Sequence, residues 1–338
     1  MLEWDFWTSP IGNGPYRFVR YIPETMMEFE AKADYYRGKP RVDRVVLKFA
    51  KDAAISDLLG RNVDAIPEAN PAQLPTLIQN PRLRVYRSIG ANLCAIFWNV
   101  AHVFFQDVRV RRALTLAINR KELREVVNLG TEIPIVDAPY QFLLDDLRRG
   151  ALPEALSYKP DEARRLLDDA GWRDLDRDGI RVRAGTTFRF TAPVISMPPV
   201  WEMAIYVQSQ LRRIGIALNL MRMENATVRS LVSSGRFEAA FSFLSNNGSI
   251  SQFFGPPFPL GYRNPELVAL FEQVNATADP GIEERAWRRI GEIFRAEIPA
   301  TVLVPMSRTV VADKRIQGLS GPFAADLVAQ MEDLWLED

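Results

Sequence analysis

Apolar and polar positions along the chain change period often enough to mark out short elements of both kinds. Residues 93–98 are almost all apolar with no alternation, which predicts a strand buried on both faces. After it, Val110, Ala113, Leu114 and Ala117 recur at helical spacing behind Asp107, whose carboxylate can accept from the first free helical N–H groups. Asn119 supplies a second cap, with Glu122 three positions on in capping-box spacing, so one helix ends and another begins there. Residues 92–128 therefore read as strand, loop and two helices, and the remaining pattern is organised around them.

Upstream, a glycine turn at 10–18 leads into a strand at 16–21. Two alternating runs within 27–49 flank the polar turn 36–40, as in a hairpin or two neighbouring strands. Helices are expected at 53–59 and 71–79, with strands at 62–66 and 83–88. Downstream, 158–172 is a helix with Pro160 in its first turn, Ala163, Leu166, Leu167 and Ala170 on one face, and Gly171 as its stop. An Asp-Gly turn at 178–179 opens a hairpin of 180–184 with 188–192. A strand ending near Ala192, a helix over 201–214 closed by Gly215, and the alternation Ile216, Leu218, Leu220 make a βαβ unit, whose right-handed crossover sets its strands parallel. A helix at 225–234, a buried strand at 239–244, helices at 264–276 and 281–297, and a buried strand at 301–305 follow. Alternating helix and strand predict an α/β fold.

Ligand clefts form where such parallel strands end, which directs attention to the 19-residue connection 245–263. Its amides and paired aromatics, Ser245, Asn246, Asn247, Phe253 and Phe254, can hydrogen-bond and stack on a ligand. Met197 and Trp201 join them as candidates. A solvated loop with an aromatic plug is the alternative.

Composition narrows the chemistry. The 338 residues suffice for two domains, and 42 basic against 42 acidic side chains give no electrostatic reason to expect nucleic acid or an anionic membrane surface as partner. No window approaches 18 consecutive apolar residues, so no spanning segment is expected. One cysteine, Cys94, and one histidine, His102, exclude an intramolecular disulfide and leave no set for a structural zinc site. Cys94 lies within the apolar strand and reads as an inert buried thiol. The glycine turn lacks the Lys and Ser/Thr of a phosphate loop. Asp174, Asp176 and Asp178 open like a calcium loop, but its twelfth position falls on Gly185 rather than a bidentate Glu, so no metal is expected. No cofactor is expected either. The first residues hold no basic region followed by an apolar core, hence no signal peptide in this chain.

The string Asn99, Phe105, Asp107, Val108, Arg109, Val110, Arg111, Ala113, Leu114, Ala117, Ile118, Asn119, Arg120 resembles the signature of the family 5 extracytoplasmic solute-binding proteins, the peptide and nickel receptors of ABC importers. PIGNGPY at 10–16, the turn at 36–40, GRNVDAI at 60–66, YKPDEARRLLDDAGW at 158–172 and the Asn264-Pro265-Glu266 start extend the resemblance to about residue 319. Two departures are Asn119 for the usual Asp and Lys159 for a usual Asp cap.

The resemblance implies a periplasmic-binding-protein-like (class II) architecture of two hinged lobes. Lobe I is expected at 1–92 together with 307–338, and lobe II, the ligand-cleft lobe, at 93–306. It implies a periplasmic or extracytoplasmic receptor without enzymatic activity, which delivers a small-molecule or peptide ligand to an ABC permease. In the family the glycine turn lies well inside the protein, so lobe I is expected to be incomplete and ligand binding weak until upstream sequence is restored. Peptide-binding members often carry an Asp just after the strand matching 239–244, where this chain has Ser245, Asn246 and Asn247. A neutral amide cannot make the charge-assisted bond to a peptide α-ammonium, which argues against a simple free-N-terminus peptide. A sensor or interaction domain of the same fold, and a carboxylate-dependent hydrolase, stand as alternatives.

Overall fold

In the computed structural model, which describes residues 10, 12–49, 53–69, 73–128, 134–138, 154–175, 178–245, 250–319, 327–328 and 330–337, the apolar run at 93–98 is the second half of a 16-residue strand. The chain divides into two compact units, Met1–Ile89 with Ser307–Asp338, and Gly90–Met306. The first unit opens with β1 (Tyr16–Ile22), β2 (Met26–Ala31) and β3 (Arg44–Lys48), then α1 (Ala54–Leu59), β4 (Ala65–Ile66) and α2 (Leu74–Ile78). Strand β5 (Leu83–Trp98) carries the chain into the second unit.

There it builds α3 (Val108–Leu116), α4 (Arg120–Asn128), α5 (Pro160–Asp169), β6 (Val182–Arg183), β7 (Thr186–Thr187), β8 (Arg189–Ile195) and α6 (Val200–Arg212). After them come β9 (Ala217–Met223), α7 (Asn225–Ser233), β10 (Ala239–Ser245), α8 (Ile250–Phe254), α9 (Pro265–Ala276) and α10 (Pro280–Glu297). Strand β11 (Ala300–Asp313) returns to the first unit, where β12 (Ile316–Gln317) and β13 (Trp335–Leu336) form a short ladder.

In the first unit, β1–β2–β3 is an antiparallel meander. Period-two alternation puts Phe18 and Phe29 edge to face, 5.9 Å apart, on one side, while Glu28 on the other takes Arg20 and Arg44 at 2.7 and 2.5 Å. A separate core of Leu58, Ile66, Leu74, Leu77, Leu83 and Val311 joins α1, β4 and α2 to the ends of the long strands.

The second unit is a sheet in the order β11–β5–β10–β8–β9. Residues 93–98 are each at most 1 % exposed, as expected of an inner strand covered on both faces. Burial raises the Cys94 thiol to about 12, so no thiolate is available at neutral pH. The βαβ reading holds: β8 and β9 pair in parallel from Arg189↔Ala217 to Ile195↔Met223, with α6 between them. The caps hold as well: Asp107 accepts from Arg109 N at 2.8 Å, and Asn119 and Glu122 bond reciprocally at 3.3 and 3.1 Å.

Two elements differ from the sequence reading, and a third turns as it expects. The strand expected at 83–88 and the buried run at 93–98 are one strand, Leu83–Trp98, which runs on through residues 89–92. Only a two-residue ladder, Val182–Arg183 with Thr186–Thr187, forms the expected hairpin. Its second arm leaves to become β8, drawn into the main sheet by Phe190, Ala192, Val194 and Ile195, each at most 2 % exposed. Of the three aspartates in the calcium-like run, Asp176 lies outside the described residues. Asp178 accepts the Ile180 N–H at 2.6 Å beside Gly179 at φ +80°, which is the tight turn its sequence specifies.

Arg111 ties this unit together. The side chain is 3 % exposed and donates to Phe105 O (2.7 Å), Gln106 O (3.0 Å), Glu297 O (2.5 Å) and Ile298 O (3.0 Å). It thereby satisfies carbonyls at the end of α10, where the chain turns left-handed at Ile298 (φ 48°). Arg111→Ala removes these donors and leaves buried carbonyls unpaired. The expected cost is roughly 3 kcal/mol or more of unfolding free energy, measured in urea. Arg111→Lys should recover only part of it, since an ammonium cannot reproduce the planar fork.

Candidate functional site at the carboxyl edge of the second-unit sheet

Strand direction decides which ends of this sheet come together. Because β10 is also parallel to β8, the strands β8, β9 and β10 finish at one edge, at Ile195, Met223 and Ser245. Asn92 of β5 faces Ser245 in the antiparallel register, so β5 enters the sheet at that same edge. Beyond β8 the ladder continues for one bond, Ser196 N–H to Met223 O at 2.7 Å. Met197 follows, 43 % exposed, and then the first turn of α6, where Val200 is buried and Trp201 half-buried. Of the expected site residues, Ser245, Met197 and Trp201 thus lie on elements that meet at this edge. Asn246 and Asn247 lie outside the described residues.

The aromatic pair sits elsewhere. Within the connection expected at 245–263, Ile250–Phe254 forms the short helix α8, too brief for its periodicity to show in the sequence. The Phe253 ring is 5.0 Å from Phe97, which faces Ala240 across the β5–β10 ladder. Phe97 is five residues from Asn92, roughly 17 Å along the strand and away from the carboxyl edge. Phe254 is fully buried, 4.7 Å from Phe294 and 6.4 Å from Tyr262, so its ring is part of the core and meets no solvent. An open depression of about 240 Å³ between α8 and α9, lined by Ser251, Gln252, Pro256, Phe271, Glu272 and Asn275, is a separate feature.

Arg222 and Ser196 also belong to this edge. Arg222 lies in β9 opposite Val194, with its Cζ 5.5 Å from the centre of the Trp201 ring and its Nε donating to Ser196 Oγ at 3.0 Å. The available signal was a basic residue closing the apolar run Ala217-Leu-Asn-Leu-Met221 just before a strand end.

His102 is placed differently. Its Nε2 is 3.3 Å from Glu238 Oε1, and Glu238 Oε2 accepts the Thr191 N–H at 2.6 Å, which puts the pair at the opposite end of β10. Among the described residues no cluster of three or more His, Cys, Asp or Glu side chains is arranged to hold a metal.

These placements separate core from edge in one experiment. Phe254→Ala should lower unfolding free energy by about 3–5 kcal/mol, the usual cost of emptying a fully buried aromatic site. Trp201→Ala should cost roughly 1 kcal/mol or less, since the ring is half-exposed. Denaturant melts of the two variants check both. Equal losses would mean that Trp201 is a core residue.

Comparison with known proteins supplies the family. Residues 2–260 match the model of bacterial extracellular solute-binding proteins, family 5, middle region. The oligopeptide-binding protein AppA of Bacillus subtilis is 28 % identical over 97 % of this chain, and the match spans 62 % of that protein. Among solved structures, the ABC transporter substrate-binding protein CtaP of Listeria monocytogenes aligns with TM-score 0.80 at 19 % identity, over 99 % of this chain and 68 % of that one. DppA of Helicobacter pylori, solved in complex with the peptide STSA, aligns with TM-score 0.72 at 18 % identity, over 99 % and 65 %. No helix among the described residues is long and apolar enough to cross a membrane. With the family model covering most of its length and the same fold in the solved structures, the chain belongs to the bacterial extracellular solute-binding proteins of family 5.

Proposed function

We propose that this chain is the solute-recognising component of an ABC importer, which binds a peptide-like or other polar organic solute at the carboxyl edge of the second-unit sheet and presents it to a membrane permease outside the cytoplasm. The observation that carries the reading is the convergence of the ends of β8, β9 and β10 on one edge, where Met197 and Trp201 stand partly exposed beside Ser245. Open α/β sheets take ligands at such edges. Ser245, Asn246 and Asn247 belong to this site as hydrogen-bonding groups, Met197 and Trp201 as apolar contacts. Phe253 acts one step back, as the ring that seats α8 on Phe97. The name of AppA, an oligopeptide-binding protein, and the peptide bound by DppA support a peptide-like solute. The role is binding without turnover: the one thiol is sealed in the core, and the one histidine is committed to Glu238 at the far end of β10.

The test is calorimetry and thermal melting of the full chain with the peptide Ser-Thr-Ser-Ala. Weak but saturable binding is expected, and at a hundredfold excess over Kd it should add about 2.7 kcal/mol of stability. N-acetylation of the peptide should leave the affinity nearly unchanged, because Asn246 and Asn247 offer neutral amides and no carboxylate to an α-ammonium. Absence of saturable binding by this peptide and by a series of two- to nine-residue peptides would overturn the reading.

A further inference from the structure

We infer that Arg222 is the residue that receives a carboxylate of the solute, so that the site selects organic acids such as peptides with a free C-terminus. The inference rests on reading the carboxyl edge as the solute site, and adds to it a chemical class and a named contact.

Several arginines of the second unit have their guanidinium occupied by protein: Arg109 by Asp107, Arg120 by Asp137, Arg181 by Asp168, Arg289 by Glu266 and Glu292, and Arg111 by backbone carbonyls. Arg222 is held without being consumed. Its Nε bonds Ser196 Oγ at 3.0 Å and its plane is steadied by Trp201 at 5.5 Å, while among the described residues neither Nη has a carboxylate or carbonyl partner. A guanidinium has five N–H donors in a rigid fork, and a single hydroxyl uses one of them. The Nη pair is left as the bidentate edge that fits a carboxylate.

Location and order strengthen the case. Arg222 is the penultimate residue of β9 and its partner Ser196 follows the last residue of β8, so the fork sits where the two parallel strands end. The cation–π contact with Trp201 and the Ser196 bond restrict the side chain before any ligand arrives, which lowers the ordering cost of binding. Glu202 and Glu224 are exposed nearby and neither bonds Arg222, so the local field is mixed. Selection must then come from direct fork-to-carboxylate contact and not from a broad positive potential, which gives a sharp experimental signature.

The experiment compares Ser-Thr-Ser-Ala with its C-terminal amide by calorimetry on the full chain, for wild type, Arg222→Ala and Arg222→Lys. Wild type should bind the free acid more tightly by roughly tenfold or more, the scale of one charge-assisted contact. Arg222→Ala should bring the acid down to the affinity of the amide without changing the amide, and Arg222→Lys should keep an intermediate preference. Thermal midpoints equal to wild type show that the exposed substitutions leave the fold intact. An acid-to-amide ratio unchanged in Arg222→Ala, or absent in wild type while both forms bind, would overturn the inference and leave the receptor reading standing. Failure of both forms to bind wild type would overturn that reading and the inference with it.

Discussion

Two guanidinium groups buried in the second unit set the terms for the rest of it. A charge withdrawn from water must be met by fixed polar partners, and these partners come from segments distant in sequence. Arg111 gathers the loop before α3 and the end of α10, residues separated by 186 positions. Arg120 pairs with Asp137 at 2.7 Å and donates to Val302 O at 2.9 Å and Leu156 O at 2.6 Å. Asp137 in turn accepts the Leu156 N–H at 2.6 Å, so three segments close around one ion pair. Trp98 Nε1 donates to Thr301 Oγ1 at 3.0 Å, and Thr115 meets the same hydroxyl at 2.7 Å, which fixes β5, α3 and β11 to one another. If α10 or β11 shifted, buried charge and buried carbonyls would be exposed to one another without partners. The arrangement therefore admits few alternatives, and the edge where β8, β9 and β10 end inherits that rigidity.

This explains why the family was legible in the sequence. The residues that carry the resemblance are those that hold the fold. Asn99 donates to Phe237 O at 2.7 Å and Gly235 O at 3.2 Å, Asp107 caps α3, Arg109 folds back on Asp107, and Phe105 packs 5.0 Å from Trp98. Each has a geometric task that only one or two residue types can perform, so each leaves a mark in the string of letters. The same holds for Pro160 at the first turn of α5 and for Asn264, which caps α9 by accepting from Leu267 N at 3.0 Å.

Site residues carry no such mark. Periodicity could locate the edge, because a βαβ unit forces its strands parallel and so fixes which ends meet, and Met197 and Trp201 were within reach of that argument. It could not say where the chain after Ser245 goes next. A five-residue helix has too little pattern to read, and whether Phe254 turns outward or inward is decided by Phe294 and Tyr262, some 40 and 8 residues away in sequence. Arg222 is hard to read for a related reason. A basic residue near a strand end is ordinary on any surface, and its support by Trp201 and Ser196, with no acidic partner among the described residues, exists only in three dimensions.

The same contrast bears on catalysis. Groups with displaced pKa values often mark active sites, yet they also arise from structural bonds, and the geometry decides between the two. In the second unit the displaced groups are in use. Burial and the bond to Glu122 raise Tyr206, and burial and Glu297 raise Tyr262, whose hydroxyl is 2.6 Å from that carboxylate. Asp107 is held low by Arg109, its partner at the start of α3. The Tyr206–Glu122 bond ties α6 to α4, the Tyr262–Glu297 bond ties the connection before α9 to the end of α10, and Asp107 caps α3. The displaced groups of this unit thus hold its elements in place, and their shifts are accounted for by structural bonds.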